Sequence, residues 1–188
     1  MTTADAAGAD QPNPIGALGG APVWSYVWST SLDPSAVGFE GDTGILAMAA
    51  TSHPDFDDTP LFDESNDGDP SNDGLLWHSH WVVLRPTEAC VAGELAVRDI
   101  PEGTHPKLPA TWPGLPIFLD SPGFTPAFDG PEIKINVEFA TDVDLTGASY
   151  DGVTSALSVN ANIHAPLLCV TDVFDLASGD LKLSGKIN

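Results

Sequence analysis

The protein has 188 residues, of which 42% are hydrophobic, and it carries 27 acidic side chains against 6 basic ones. A chain of this length suits a single domain with a buried core, and its apolar fraction excludes disorder by composition. The net charge of -21 makes nucleic acid and anionic membranes poor partners, because phosphate groups are bound by Lys and Arg, and no apolar run approaches the ~20 residues of a membrane-spanning helix.

The composition favours turns over helices. Asp outnumbers Glu by 20 to 7, and the chain contains 18 Gly and 17 Pro residues. Asp suits turns, caps and calcium loops, whereas a long helix would prefer Glu and Lys. We therefore expect many turns and little helix. An alternative interpretation of the acidity is adaptation to high salt, where a hydrated acidic surface keeps a protein soluble.

The chain begins with a segment of low complexity. Residues 1–21 are predicted to form a flexible N-terminal leader ahead of a single β-domain over 22–188, and they lack the basic start and apolar stretch of a signal peptide. Residues 22–32 have the aromatic and β-branched character of a first strand. Residues 45–52 fit a strand or a short helix, and their length favours a buried strand.

An acidic loop is predicted over residues 54–74, and its second half is a tandem hexapeptide, DESNDG followed by DPSNDG. Each copy places oxygen-bearing side chains at positions one, three and five and then a Gly, so that alternate side chains can curl around one hard cation. The pattern resembles the calcium-binding loops of EF-hands and of other calcium-binding repeats. The candidate calcium ligands are Asp63, Ser65, Asp67, Asp69 and Asp73.

The loop departs from an EF-hand at the position that closes the site. The twelfth residue is Gly74 in the first frame and His80 in the second, where an EF-hand has a bidentate Glu. We therefore expect a lone calcium loop closed by a distant acid, such as Asp55, Asp57 or Asp58. The alternative is a solvated acidic loop that binds no ion.

A histidine pair follows directly in a predicted strand over residues 75–85. Because side chains alternate along a strand, His78 and His80 lie on one face. Two imidazoles on one face can bind a transition metal such as Zn, Fe, Mn or Cu when a third ligand joins them. His53, at the end of the preceding strand, is the first candidate for this ligand, and His164 and Glu94 are further candidates.

The same residues allow two other interpretations. His78, His80 and Asp55 are candidate catalytic residues of a metal-free acid-base site, because a His beside a carboxylate can transfer protons near neutral pH. The histidines can also be purely structural, with their ring nitrogens hydrogen-bonded to neighbouring groups.

Residues 101–131 contain eight prolines, which excludes a central strand because proline has no amide donor. The segment is too apolar for a solvated linker, so we expect an irregular covering segment. It could wall a pocket for a small apolar ligand with Trp112, Phe118 and Phe124.

The remaining predicted strands complete an all-β fold. Period-two alternation is plain in residues 132–142, and further strands are predicted over 94–100, 156–165, 167–176 and 180–187. Strands at this spacing predict an antiparallel β-sandwich or β-barrel with long irregular loops. Cys90 and Cys169 either form one disulfide, which would favour an exported protein, or remain two buried free thiols.

Three functions fit these patterns, and the sequence leaves open whether the protein is an enzyme. The first is a metal-binding β-domain protein, exported to the periplasm or outside the cell, with a calcium loop next to a histidine metal site. The second is a metal- or His/Asp-dependent enzyme with an apolar pocket walled by the Pro-rich segment. The third is a non-catalytic binding or adhesion module that calcium stabilises.

Overall fold

The protein is built almost entirely from β-strands. A computed structural model of the chain describes residues 2, 6–9, 22–53, 63–64, 67–70, 72, 76–90, 95–159, 168–176 and 183–184. The strands are β1 (Pro22–Thr30), β2 (Ile45–Ser52), β3 (His78–Pro86), β4 (Leu95–Val97), β5 (Leu119–Asp120), β6 (Ala127–Asp129), β7 (Glu132–Lys134), β8 (Ser149–Val159), β9 (Leu168–Leu176) and β10 (Leu183–Ser184). Over these residues the helical structure is one 3₁₀ turn, Pro34–Val37. No helix that the structure describes is long and apolar enough to cross a membrane.

The strand pairing is antiparallel throughout the main sheet. The strands lie in the order β1, β2, β3, β4, β9, β8 and β10, and β1 also pairs with β8. Strand β5 pairs with β3, and β6 and β7 form a separate hairpin. The predicted all-β antiparallel class is confirmed. The finer choice between a sandwich and a barrel stays a prediction, as does the division into a leader and one domain.

Side chains on β3 alternate between two buried faces. Val82 and Leu84 point to the same face as His78 and His80, and we call it the histidine face. Its apolar cluster is formed by Val27, Ala47, Ala49, Val82, Leu84, Val97, Ile117 and Leu119. The opposite face, which we call the tryptophan face, carries a second cluster formed by Phe39, Leu46, Met48, Trp81, Val83 and Phe118.

The segment that follows the Pro-rich stretch covers the tryptophan face. Ile135, Val137 and Phe139 pack against its cluster, together with Phe124 and Leu108. The alternation of Ile135, Val137 and Phe139 with polar residues predicted a strand over residues 132–142, but strand β7 ends at Lys134. Alternating apolar and polar residues indicate which side of an extended chain is buried. They do not indicate that a neighbouring strand is present to pair with.

The N-terminal residues that the structure describes contact the hairpin and β1. The amide of Ala7 donates to the carbonyl of Gly130, and the amide of Gly8 donates to the Tyr26 hydroxyl. The indole Nε1 of Trp77 donates to the Gly8 carbonyl. These contacts place Gly8 beside the aromatic rings of Tyr26, Trp77 and Phe128.

One disulfide joins the segment after β3 to strand β9. Cys90 and Cys169 are bonded with their Cα atoms 5.9 Å apart, and 79 positions separate them in sequence. The bond lies beside the short pairing of β4 with β9, in which Ala96 is opposite Cys169. Of the two alternatives for the cysteines, the structure has the disulfide.

Candidate metal centre

Two adjacent strands bring three histidines to one point. In the antiparallel register of β2 and β3, Thr51 lies opposite His78 and Ala49 lies opposite His80. His53 follows the last residue of β2 and therefore lies next to His78 on the histidine face. The small side chain of Ala49 leaves room beside the imidazoles. All three histidines are buried, with exposed fractions of 8% for His53, 1% for His78 and 3% for His80.

A carboxylate from the acidic loop completes the cluster. The Nε2 atoms of His53 and His78 are 2.9 Å apart, and Glu64 Oε2 lies 3.3 Å from each of them. Glu64 Oε1 lies 3.9 Å from His80 Nε2, and one ligand atom from each of the four residues falls within 4.8 Å of all the others. Adjacent ligands around an ion at about 2.1 Å are about 3.0 Å apart in an octahedron and about 3.4 Å apart in a tetrahedron. The four residues could therefore hold a metal ion.

The outer nitrogens of two imidazoles are held by hydrogen bonds. His78 Nδ1 lies 3.0 Å from the Leu76 carbonyl, and His80 Nδ1 lies 3.3 Å from the Asp120 carbonyl and 3.1 Å from Ser121 Oγ. A carbonyl can only accept, so each Nδ1 carries the hydrogen and donates it. In the neutral rings Nε2 then presents a lone pair to the cluster, which is the arrangement typical of metal-ligating histidines.

Burial and charge set the protonation states that metal binding needs. Burial lowers the pKa of His78 to about 3 against the opposing attraction of Glu64, and burial also lowers the pKa of His80. Burial alone would raise the pKa of Glu64, but the neighbouring histidines outweigh it and the pKa is lowered. At neutral pH His78 and His80 thus offer neutral imidazoles and Glu64 an ionised carboxylate, so a metal ion displaces few protons from these three residues on binding.

The tandem repeat forms the turn that presents Glu64. The Asp63 carboxylate accepts hydrogen bonds from the amides of Asp67 at 3.0 Å and Gly68 at 2.7 Å. The Asp67 carboxylate accepts from the Asp69 amide and from the Asn72 side chain. Asp and Asn side chains that bind nearby backbone amides stabilise turns in this way. The repeat therefore serves at least one structural purpose next to the histidines.

Glu64 is the residue that the sequence interpretation missed. It occupies position two of the first hexapeptide, a position at which the second copy has Pro70 and at which the calcium pattern asks for no ligand. The signal that could have found it is its type, because it is the one Glu in a repeat whose other acids are all Asp.

The other predicted site residues fall into two groups. Asp63, Asp67 and Asp69 lie in the loop, and calcium binding by them stays a prediction. Seven further candidates lie outside the described residues: Asp55, Asp57, Asp58, Ser65, Asp73, Glu94 and His164.

A large cavity walled by the Pro-rich segment lies on the tryptophan face. It has a volume of about 810 Å³, and Trp81 and Phe124 line it. The prediction was wrong for Trp112 and Phe118, which do not line the cavity: Phe118 packs against Phe39, and the indole of Trp112 donates to the Leu115 carbonyl. Because Trp81 and His80 are consecutive along β3, the cavity and the histidines are on opposite faces of the strand. The predicted pocket wall and the predicted metal site therefore belong to two different places.

Comparison of the chain with models of known protein families, with curated proteins and with solved structures found no match.

Proposed function

We propose that the protein binds one divalent transition-metal ion through His53, Glu64, His78 and His80. The observation that carries the proposal is the convergence of three imidazole Nε2 atoms and one carboxylate within 4.8 Å of one another at a buried point. The hydrogen bonds at Nδ1 of His78 and His80 direct lone pairs toward that point. A cation there offsets the mutual repulsion of the lone pairs and the burial of the carboxylate charge.

The ligand set favours a transition metal over calcium or magnesium. Calcium and magnesium take oxygen ligands, whereas imidazole nitrogens suit Zn, Fe, Mn and Cu. Three nitrogens and one carboxylate oxygen fit any of these four metals. Calcium at Asp63, Ser65, Asp67, Asp69 and Asp73 is a separate proposal, which the resemblance of the tandem repeat to calcium loops supports.

Elemental analysis of the purified, exhaustively dialysed protein tests the two metal proposals separately. We expect about one transition-metal ion per chain, and the calcium content reports independently on the acidic loop. A strong chelator should lower the melting temperature, since a ligand held at 100 times its dissociation constant stabilises the native state by about 2.7 kcal/mol. Protein that takes up no transition metal, even when reconstituted with each of the four, would contradict the proposal for the histidine cluster.

A second candidate function is a metal-dependent enzyme, and two buried hydroxyl groups favour it. Ser25 lies opposite Thr51, which lies opposite His78, so the three residues form one row across the histidine face. Ser25 Oγ and Thr51 Oγ1 are buried and have no hydrogen-bond partner among the described residues. Water or a substrate oxygen on the metal would satisfy them, and a metal ion acidifies a bound water for proton chemistry.

Thr51→Val tests the enzyme candidate without removing a metal ligand. We expect the variant to keep its metal, while the affinity of the Co²⁺-loaded protein for azide falls about fivefold, the effect of one lost hydrogen bond. The visible spectrum of Co²⁺ reports azide binding, and Thr43→Val, at a partly exposed site outside the row, is the control. Equal azide affinity in the wild type and in Thr51→Val would contradict a role of this hydroxyl at the metal.

Two further proposals concern the setting of the protein. The disulfide supports export, because such bonds persist in the periplasm and outside cells. A non-catalytic binding or adhesion module remains the third candidate, and it would keep its function when His78 and His80 are both replaced.

A further inference from the structure

We propose that the cavity on the tryptophan face binds a small primary ammonium ion with an apolar body, and that Asp120 is its anionic partner. The Asp120 side chain lies on the face of β3 opposite to the proposed metal ligands, while its main-chain carbonyl lies 3.3 Å from His80 Nδ1. The cavity is bounded by residues 32–38, 107–111 and 138–144, and its volume of about 810 Å³ falls in the range of small-molecule sites.

Asp120 is the residue that points to a cationic group. It lies opposite Trp81 in the pairing of β5 with β3, lines the cavity and is 2% exposed. Its Oδ1 atom is buried and has no hydrogen-bond partner among the described residues. The carboxylate also accepts hydrogen bonds from the Thr111 side chain and the Ser121 backbone. An ammonium group supplies both the missing donor and the missing charge.

Aromatic rings form the wall next to Asp120. The rings of Trp81 and Phe139 are 5.9 Å apart at a tilt of 51°, and Phe124 also lines the cavity. Aromatic faces attract cations and bury apolar groups, so these rings suit both ends of an arylalkylammonium or alkylammonium ion.

The charge of the remaining wall selects against anions. Four further acids line the cavity against a single base, Lys107. The acids are Asp33, Glu138, Asp142 and Asp144. Their combined field attracts a cation and repels a carboxylate or phosphate ligand.

Three probes that differ chiefly in charge test this proposal: benzylammonium, benzyl alcohol and benzoate. Titrations of the full chain followed by NMR or calorimetry should give benzylammonium about tenfold higher affinity than benzyl alcohol, and no binding of benzoate. Asp120→Asn should remove most of the tenfold preference. Asp142→Asn, which removes the same charge from an exposed position on the wall, should leave most of it in place.

Two outcomes would overturn the proposal. The first is that the wild type binds benzylammonium and benzyl alcohol with equal affinity. The second is that Asp120→Asn and Asp142→Asn lose the preference for benzylammonium equally, because the preference would then come from the overall negative charge of the protein. If Asp120→Asn does not fold, Phe139→Leu replaces it, and an unchanged benzylammonium affinity in that variant counts against the site.

Discussion

His78→Ala is expected to reduce the transition-metal content from about one ion per chain to near zero. His78 Nε2 lies within 3.3 Å of both His53 Nε2 and Glu64 Oε2, so its removal takes away the central ligand of the cluster. The metal-loaded wild type should also melt about 5–10 °C higher than the chelated protein, because about 2.7 kcal/mol of ligand stabilisation raises the melting temperature by that amount in a domain of this size. Elemental analysis and thermal melting measure the two effects.

The control is His105→Ala, since His105 is an exposed histidine outside the cluster. This variant should keep both its metal and its response to chelator. His78→Ala also leaves a buried void, which lowers stability by itself. The decisive comparison is therefore the melting shift caused by chelator within each protein. A His78→Ala variant that retains its full metal content would show that the cluster is not the metal site.

The double variant Cys90→Ser/Cys169→Ser is expected to lower the free energy of unfolding by about 2–5 kcal/mol. The bond joins residues 79 positions apart, and a cross-link that closes a long loop removes many conformations from the unfolded chain. It also fastens the segment after β3 to strand β9, where β4 and β9 share only a short pairing. Urea unfolding at equilibrium measures the difference.

Reduction of the wild type provides the matching experiment. With excess reductant, the urea midpoint of the wild type should fall to that of the double variant, and the double variant should not respond. Metal content should be retained in both, because none of the four proposed ligands lies on β4 or β9. A wild-type midpoint that reductant leaves unchanged would contradict a stabilising role of the disulfide.

Local patterns predicted several strands, but the longest one, β8 (Ser149–Val159), was predicted only from residue 156 onward. Residues 45–52 and the strand that begins at His78 consist of short runs of apolar and β-branched side chains, and the structure has strands at both places. The alternation of apolar and polar residues predicted a strand wrongly where a segment buries one side but has no neighbouring strand to pair with. Residues 135–139 alternate as a strand does, yet they cover the tryptophan face without belonging to a sheet. The Pro-rich segment also contains two brief strands, Leu119–Asp120, which pairs with β3, and Ala127–Asp129, which pairs with β7.

The amino-acid sequence by itself determined that the fold is all-β and that His78 and His80 share a face, because strand periodicity is a property of neighbouring residues. Only the tertiary structure decided that Glu64 joins them, that Cys90 meets Cys169, and that the cavity lies on the opposite face. Those contacts depend on strand register and on the path of loops, which bring together residues that no local pattern relates.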